Sequence, residues 1–186
     1  MAATRAAPIP KNLDLIAGFD DITIRRKWFS LKVIPLAIFA IVWDGFLVFW
    51  YSAAFGNDET PLVMILFPIG HIAAGVGITY YVLASFVNKT DITVSPQSIR
   101  VRTYPMKWLG DKTISIAEIK QLYTTEKIRR HKNGVSITYT VSVMTNENRE
   151  KKLLGGLDTK AQALFIEHEI EKIIGIENSA VVGEVG

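Results

Sequence analysis

Two long apolar runs constrain the fold of this chain more than any other feature. The first is VIPLAIFAIVWDGFLVFWYSAA, residues 33–54, and the second is PLVMILFPIGHIAAGVGITYYVLASFV, residues 61–87. Each exceeds the roughly 20 residues that a helix needs to cross about 30 Å of hydrocarbon. A pair of core helices in a soluble bundle would need polar faces, and neither run has one. The sequence therefore predicts two membrane-spanning helices that form a hairpin.

The charged residues orient this hairpin. All 21 Lys and Arg residues lie outside residues 33–87, six before the first run and fifteen after the second. The segment between the runs, FGNDET, has two acids and no base. Short loops rich in Lys and Arg stay in the cytoplasm. We therefore expect a multi-pass membrane protein with both termini in the cytoplasm.

The change in composition at each edge of the runs predicts the domain boundaries. We expect a cytosolic N-terminal segment over residues 1–30 and the helical hairpin over 31–88. A cytosolic domain should follow over 89–176, and a flexible tail over 177–186.

Asp44 interrupts the first run, and a carboxylate in hydrocarbon is costly unless it has a partner. If the chain turns at Asn57 and Asp58, then Asp44 and His71 lie at nearly the same depth. An imidazole can donate a hydrogen bond to a carboxylate. Three interpretations stay open: the pair fixes the register of the hairpin, it contacts another subunit, or it belongs to a proton relay or transport site.

Small residues surround His71 in the second run. Gly70 and Ala74 are four residues apart, and so are Ala73 and Gly77. This spacing lets helices approach closely in a membrane. We therefore predict that Gly70, Ala73, Ala74 and Gly77 form a helix-packing face.

After the second run, the pattern changes to the two-residue period of β-strands. Six segments have this character: DITVS, SIRVRTY, KTISI, EIKQLYTTEKI, VSITYTVSVM and EKKLLGG. In VSITYTVSVM, apolar residues alternate with Ser and Thr, which is typical of an antiparallel sheet with one buried face. The sequence therefore predicts about six short strands.

One helix should end this domain. Thr159 and Gln162 have the spacing of a capping box, and Gly175 is suited to the end of the helix. We expect Glu167, Glu169 and Glu171 to lie on the solvent-facing side of this helix. The predicted fold class is thus a membrane α-helical hairpin plus an α+β domain, in which one C-terminal helix caps an antiparallel sheet.

The order of these features resembles small bacterial two-span membrane proteins with a cytosolic pleckstrin-homology-like (PH-like) domain. The resemblance covers roughly residues 25–176. It includes TDITVSPQSIRV after the second run, then Pro105, Trp108 and Gly110 in a turn, then IAEIKQLY. The resemblance implies a curved PH-like sheet or split barrel that the helix closes at one end. It also implies a location in the bacterial inner membrane, and it implies no established catalytic activity.

The most basic part of the cytosolic domain is EKIRRHKNG, which contains Lys127, Arg129, Arg130 and Lys132 between two predicted strands. Basic residues near a cytoplasmic leaflet attract anionic lipid by about 1 kcal/mol each. The segment is either a solvated hairpin tip, a lipid contact or a protein contact. Trp108 is a second candidate, which either fills the core under a turn or contacts the membrane interface or a peptide.

Several classes of function have no motif in this chain. It has no cysteine, which excludes thiolate chemistry, and its three histidines lack the spacing of a zinc site. From Lys89 onward there are fifteen bases and twelve acids, a balance that disfavours a nucleic-acid partner. We therefore expect no enzymatic activity, no cofactor and no bound metal.

These observations favour an accessory or scaffold protein. The hairpin would anchor a domain that contacts membrane lipids, a protein partner or a second copy of the chain. The alternative is a subunit of a transport or proton-handling complex, in which Asp44 and His71 are functional.

Overall fold

A computed structural model describes residues 8–56, 61–131 and 134–176. The chain divides into two compact units. A helical unit comprises Trp28–Asn88, and a β-rich unit is formed by the chain before and after it. The helical unit is therefore an insertion into the β-rich unit. Four features of the sequence analysis lie outside the described residues: Asn57, Asp58, Lys132 and the tail from residue 177.

The helical unit contains two helices that are long and apolar enough to cross a membrane, Leu31–Phe55 and Leu62–Val87. Its elements are a 3-10 turn (Leu31–Val33), α1 (Ile34–Phe55), α2 (Leu62–Leu66) and α3 (Ile69–Val87). The long helices pack antiparallel, because Val33, just before α1, and Ala40, in its second turn, cluster with Val82 and Ile78 in the second half of α3. The two predicted helices are thus confirmed as a hairpin.

Pro68 interrupts the second long helix between α2 and α3. Proline has no N–H, so the carbonyl of Met64, four residues earlier, loses its usual helical donor. The Trp50 indole N–H donates to this carbonyl at 3.1 Å, and the Tyr51 hydroxyl donates to the carbonyl of Ile65 at 3.0 Å. Two aromatic side chains of α1 therefore satisfy backbone groups at the break, as an apolar environment requires.

The β-rich unit has two antiparallel sheets, with strand order β1-β2-β3-β4-β5 in one and β6-β7-β8 in the other. The strands are β1 (Leu13–Ala17), β2 (Ile22–Lys27), β3 (Lys89–Val94), β4 (Ser98–Tyr104), β5 (Lys112–Ser115), β6 (Ile119–His131), β7 (Gly134–Thr145) and β8 (Glu150–Leu157). The six strands predicted after residue 88 are all present.

The N-terminal segment was expected to precede the folded domain, but its strands β1 and β2 belong to the five-stranded sheet. β2 pairs with β3 across the whole insertion, so that Lys27 lies opposite Lys89 and Ile24 opposite Ile92. Ile24 and Ile92 are fully buried, because both point into the core. The segment before the helices is therefore part of the sheet, and its prediction as a separate N-terminal segment was wrong.

Helix α4 (Lys160–Ile174) covers the three-stranded sheet, and Ile166 and Ile170 are fully buried in the core that includes both sheets. The Thr159 hydroxyl accepts from the backbone N–H of Gln162, and Gly175 adopts φ 70° after the last turn. Both predicted ends of the helix are confirmed.

The predicted exposure of the acidic residues on α4 was wrong. Glu167 and Glu171 are buried, and Glu169 is half-buried. Glu167 tolerates burial because its carboxylate accepts a hydrogen bond from the hydroxyl of Thr124 on β6.

Candidate functional site

Asp44 is the acidic residue in the middle of α1, and its partner is not the one that the sequence suggested. Its Oδ2 atom accepts a hydrogen bond from the hydroxyl of Thr79 at 2.6 Å. Thr79 lies two turns beyond His71 along α3. No hydrogen bond joins the described side chains of Asp44 and His71, so the predicted pairing of these two residues inside the hairpin was wrong. The carboxylate still gains a hydroxyl donor, which lowers the cost of its apolar surroundings.

His71 lies among aromatic rings. Its imidazole is 5.6 Å from the Trp43 ring and 5.3 Å from the Phe67 ring, measured between centroids. The indole N–H of Trp43 also donates to the main-chain carbonyl of His71 at 3.3 Å. Trp43 and Asp44 are adjacent on α1 but have different neighbours on α3. Trp43 contacts His71, whereas Asp44 accepts a hydrogen bond from Thr79. His71 therefore helps to pack the hairpin through ring contacts rather than through a hydrogen bond to Asp44.

The glycine at which the helices approach closely is Gly75. A Cβ atom added there would lie 2.7 Å from Oδ1 of Asp44 and 3.2 Å from Cδ1 of Trp43. By contrast, a Cβ atom added to Gly70 or Gly77 would meet nothing within 4 Å. Gly75 is buried because it lies against α1.

The predicted packing face, Gly70, Ala73, Ala74 and Gly77, is exposed in the helical unit. Because all four residues are exposed, and a Cβ atom at Gly70 or Gly77 would have open space around it, the close approach inside the hairpin lies elsewhere, and the prediction was wrong for this contact. The physical reason is the rotation of α3 about its own axis, which turns the side that carries Gly75 and Thr79 toward Asp44.

A groove of about 520 Å³ runs beside Asp44 and Thr79. Apart from these two residues its lining is apolar or aromatic: Leu47, Val48, Tyr51, Ile72, Val76, Tyr80 and Leu83. A single carboxylate–hydroxyl pair on an apolar surface can orient one polar group of a neighbour, since few polar groups fix the orientation in such sites.

The basic segment of the β-rich unit lies on a two-stranded ribbon, which we define as residues 125–131 of β6 and 134–138 of β7. Lys127, Arg129 and Arg130 are exposed there. The ribbon extends beyond the three-stranded sheet, because the pairing of β8 with β7 ends at Leu157 opposite Tyr139. Lys132, the fourth basic candidate, is outside the described residues.

The ribbon also has an uncovered apolar face. Ile128 pairs with Ile137, and Arg130 pairs with Val135, so these four side chains share one face. Ile128 is 55% exposed, Ile137 43% and Val135 61%. The same face of β7 is fully buried farther along, at Val141 and Val143. The apolar alternation thus continues past the core onto an exposed surface of the described domain.

Trp108 is half-buried in the loop between β4 and β5, and it is not part of the hydrophobic core cluster. Its neighbour Leu109 is 96% exposed. The interpretation of Trp108 as a core plug was therefore wrong. Gly110 follows with φ 119°, a backbone conformation that favours glycine.

A charged cluster on the five-stranded sheet has no counterpart in the sequence analysis. Arg25 donates two hydrogen bonds of 2.8 Å to the carboxylate of Asp91, and the Tyr104 hydroxyl donates a third at 2.8 Å. Burial raises the pKa of Asp91, but the bonds from Arg25 and Tyr104 outweigh it, so this pKa is lowered. Burial and the Asp91 carboxylate raise the pKa of Tyr104.

The signal for this cluster was the alternation in ITIRRK, residues 22–27, which was too short to stand out before the insertion. Once β2 is placed beside β3, the pairing of Arg25 with Asp91 follows from the register.

Within residues 8–56, 61–131 and 134–176, no three His, Cys, Asp or Glu side chains are arranged to hold a metal ion. No protein-family model and no curated protein sequence matches the chain.

Proposed function

We propose that this is an integral membrane protein in which the helical unit anchors a PH-like binding domain at the cytoplasmic surface of the bacterial inner membrane. It acts there as an accessory or scaffold protein. The observation that carries the proposal is the pairing of β2 with β3 on the two sides of the insertion.

The pairing limits how the chain can cross a membrane. Lys27 and Lys89 lie opposite each other in one sheet, so both are on the same side of any membrane that the inserted residues cross. The number of crossings is therefore even, which agrees with the two long apolar helices. A single crossing would separate β2 from β3 and break the sheet.

The surface of the helices supports a lipid environment. In their most apolar windows only 17% and 11% of the residues are buried. Core helices of a soluble protein would be mostly covered, whereas large exposed apolar surfaces need a membrane or a partner. The hydrogen bonds from Trp50 and Tyr51 to backbone carbonyls at the Pro68 break serve the same need.

The binding role rests on the ribbon of residues 125–131 and 134–138. It combines exposed bases with an uncovered apolar face, the composition of a contact surface that is continuous with the core. Its outer part pairs with no third described strand, so it also offers backbone groups for strand addition. We assign the ribbon to a protein partner.

Membrane insertion and orientation are testable because the chain has no cysteine. Single cysteines replace Phe19 or Ser136 in the β-rich unit, or Asp58 between the helices, and intact cells are treated with an impermeant thiol reagent. We expect labelling of the Asp58 variant in intact cells, and of the other two only after permeabilisation. Labelling of Ser136→Cys in intact cells, or release of the protein by carbonate, contradicts the proposal.

The ribbon is tested by neutralising its charges in the full chain. We compare Arg129→Gln/Arg130→Gln with the matched variant Arg100→Gln/Lys172→Gln, which removes two exposed bases elsewhere. Proteins crosslinked to each are quantified by mass spectrometry. We expect one crosslinked protein to be depleted in the ribbon variant and retained in the matched variant. Identical crosslinking in both variants and the wild type contradicts a partner contact at the ribbon.

The second candidate is a subunit of a transport or proton-handling complex. It is favoured by the position of Asp44 on the 520 Å³ groove of the helical unit. Asp44→Asn in the assembled complex should abolish ion-dependent activity under this alternative, and leave it unchanged if the residue only fixes the hairpin. His71 packs against the aromatic rings of Trp43 and Phe67, whereas Asp44 lines the groove. Asp44 is therefore the residue to test first.

A further inference from the structure

The two ends of the five-stranded sheet differ in what they carry. We define the exit end as the end formed by Lys27, Lys89 and Tyr104, where the chain leaves for the helices and returns from them. The turn end is the opposite end, formed by the turns at residues 18–21 and 95–97. The strand register alone fixes which loops belong to each end.

The loop of residues 105–111, between β4 and β5, lies at the exit end. It begins directly after Tyr104, which pairs with Lys89. Paired strands are about 4.8 Å apart, so the loop starts one strand spacing from the first residue that follows the helical unit. The loop therefore lies at the end of the sheet where the chain returns from the helical unit.

The loop has the side chains that favour a membrane interface. Leu109 is 96% exposed at the tip, beside the half-buried Trp108 and the exposed Lys107. Tryptophan prefers the headgroup region, where its amphipathic ring meets both apolar and polar surroundings. A leucine so exposed at a loop tip, next to a tryptophan and a lysine, is suited to insertion among lipid headgroups.

Charged side chains also distinguish the two ends of the five-stranded sheet. The exit end carries Arg25, Arg26, Lys27, Lys89 and Lys107. Asp91 and Asp14 neutralise two of these bases, because Arg25 pairs with Asp91, and Lys27 pairs with Asp14 at 2.9 Å. The loop itself carries one acid, Asp111, whose carboxylate accepts a hydrogen bond from the backbone N–H of Thr103, so the bases at the exit end still outnumber the acids.

The turns at the opposite end contain Asp20 and Asp21 and no base. An anionic surface thus attracts the exit end and repels the turn end.

We propose that the exit end docks on the anionic cytoplasmic leaflet, with Leu109 and Trp108 inserted among the lipid headgroups. This inference rests on the proposed function, because it requires the helices to lie in that membrane. Docking at two places, the helices and the loop, would hold the β-rich unit in one orientation and leave the turn end pointing toward the cytosol.

The test uses two exposed apolar residues at opposite ends of one sheet. Leu109→Cys and Phe19→Cys are each labelled with an environment-sensitive nitrobenzoxadiazole probe in the full chain, and Phe19 is the matched control because it is 100% exposed at the turn end. The protein is reconstituted in phosphatidylcholine membranes with and without phosphatidylserine. Lipids with a spin label at the headgroup then quench any probe that lies in the interface.

We expect the Leu109 probe to shift to the blue and to be quenched in membranes that contain phosphatidylserine, and the Phe19 probe to remain unquenched. Lys89→Gln/Lys107→Gln should lower the ratio of docked to undocked protein about 30-fold, since each surface charge contributes about five-fold. The matched variant Lys120→Gln/Lys172→Gln should leave that ratio unchanged.

Three results would overturn the inference. The Leu109 probe could behave like the Phe19 probe in both membranes, both probes could be quenched equally, or the Leu109 probe could be shielded without quenching by lipid, which indicates a protein contact. A probe at Ile41→Cys in α1 separates the two proposals. If that probe is unquenched by lipids labelled in the acyl chain, the membrane anchor itself is wrong, whereas a quenched Ile41 probe confines the failure to the exit end.

Discussion

Gly75 provides the sharpest test of the helical unit, because three glycines of one helix differ only in what they face. In Gly75→Ala the new Cβ atom would lie 2.7 Å from Oδ1 of Asp44 and 3.2 Å from Cδ1 of Trp43. Non-bonded carbon atoms do not approach other heavy atoms so closely without a shift in structure. Gly70→Ala and Gly77→Ala are matched controls, since their new Cβ atoms would meet nothing within 4 Å.

The expected magnitude follows from three contributions. Replacing glycine by alanine inside a helix favours folding by about 1 kcal/mol. At Gly75, overpacking costs about 1–3 kcal/mol, and the Asp44 carboxylate must turn away from Thr79, which forfeits a hydrogen bond of about 0.6 kcal/mol. The net loss for Gly75→Ala is therefore about 0.6–2.6 kcal/mol. The two controls should be neutral or more stable by up to about 1 kcal/mol.

The assay is a titration of the purified protein from mild detergent into sodium dodecyl sulfate. Trp43 and Trp50 report the separation of the helices through their fluorescence, because both donate hydrogen bonds across the hairpin. The free energy of unfolding is compared among the wild type and the three alanine variants at equal detergent composition.

A Gly75→Ala variant that is as stable as the two controls would contradict the predicted clash with Asp44. A larger loss of stability in Gly70→Ala and Gly77→Ala would also contradict it, because the small-residue face would then be the one that packs. A loss shared equally by all three variants would point to an assembly of several chains, in which both sides of α3 are covered.

Two further predictions concern hydrogen bonds that the sequence did not reveal. Arg25→Gln should destabilise the β-rich unit by about 1–2 kcal/mol at neutral pH, because it removes two charge-assisted hydrogen bonds to Asp91. Thermal unfolding followed by circular dichroism measures this loss of stability. Because the pKa of Asp91 is lowered, the stability that this ion pair contributes is present above the ordinary carboxyl range and is lost as the pH falls through the folded-state pKa. The stability of Arg25→Gln should therefore fall less steeply at acid pH than that of the wild type. The same acid dependence in both proteins contradicts the assignment. Trp50→Phe should cost about 0.6–1.7 kcal/mol in the dodecyl sulfate titration, because the carbonyl of Met64 loses its donor at the helix break, and an unaffected variant would contradict this role.

Features that depend on nearby residues could be predicted from the sequence. Apolar runs defined both long helices, alternation defined the strands after residue 88, and Thr159 and Gly175 defined the ends of α4. Each of these signals is contained in a window of a few residues, so local propensity and burial agree.

Features that depend on distant partners could not be predicted in the same way. β2 becomes a strand because β3 lies beside it, and β3 follows only after the whole insertion. The partner of Asp44 depends on the rotation of α3, since neighbouring turns present His71, Gly75 or Thr79 to α1. A sequence supplies the spacing of such residues but not the register between two helices.

The burial of Glu167 and Glu171 shows a third limit. A glutamate on a helix is usually exposed, but the sheet beneath α4 supplies a hydroxyl from Thr124. Only the packing of helix on sheet could reveal this partner.

The insertion makes the stability of β2 depend on the helices. For β2 to pair with β3, the ends of residues 28–88 must meet, and closing a flexible loop of about 60 residues costs about 4 kcal/mol in entropy. The antiparallel contact of α1 with α3 removes most of this cost, because the paired helices already return the chain to its starting point. Gly75→Ala, which weakens that contact, should therefore speed amide exchange in β2 and β3 and leave β6 and β7 unchanged. If amide exchange in all four strands is the same in Gly75→Ala as in the wild type, the sheet holds β2 without help from the helices.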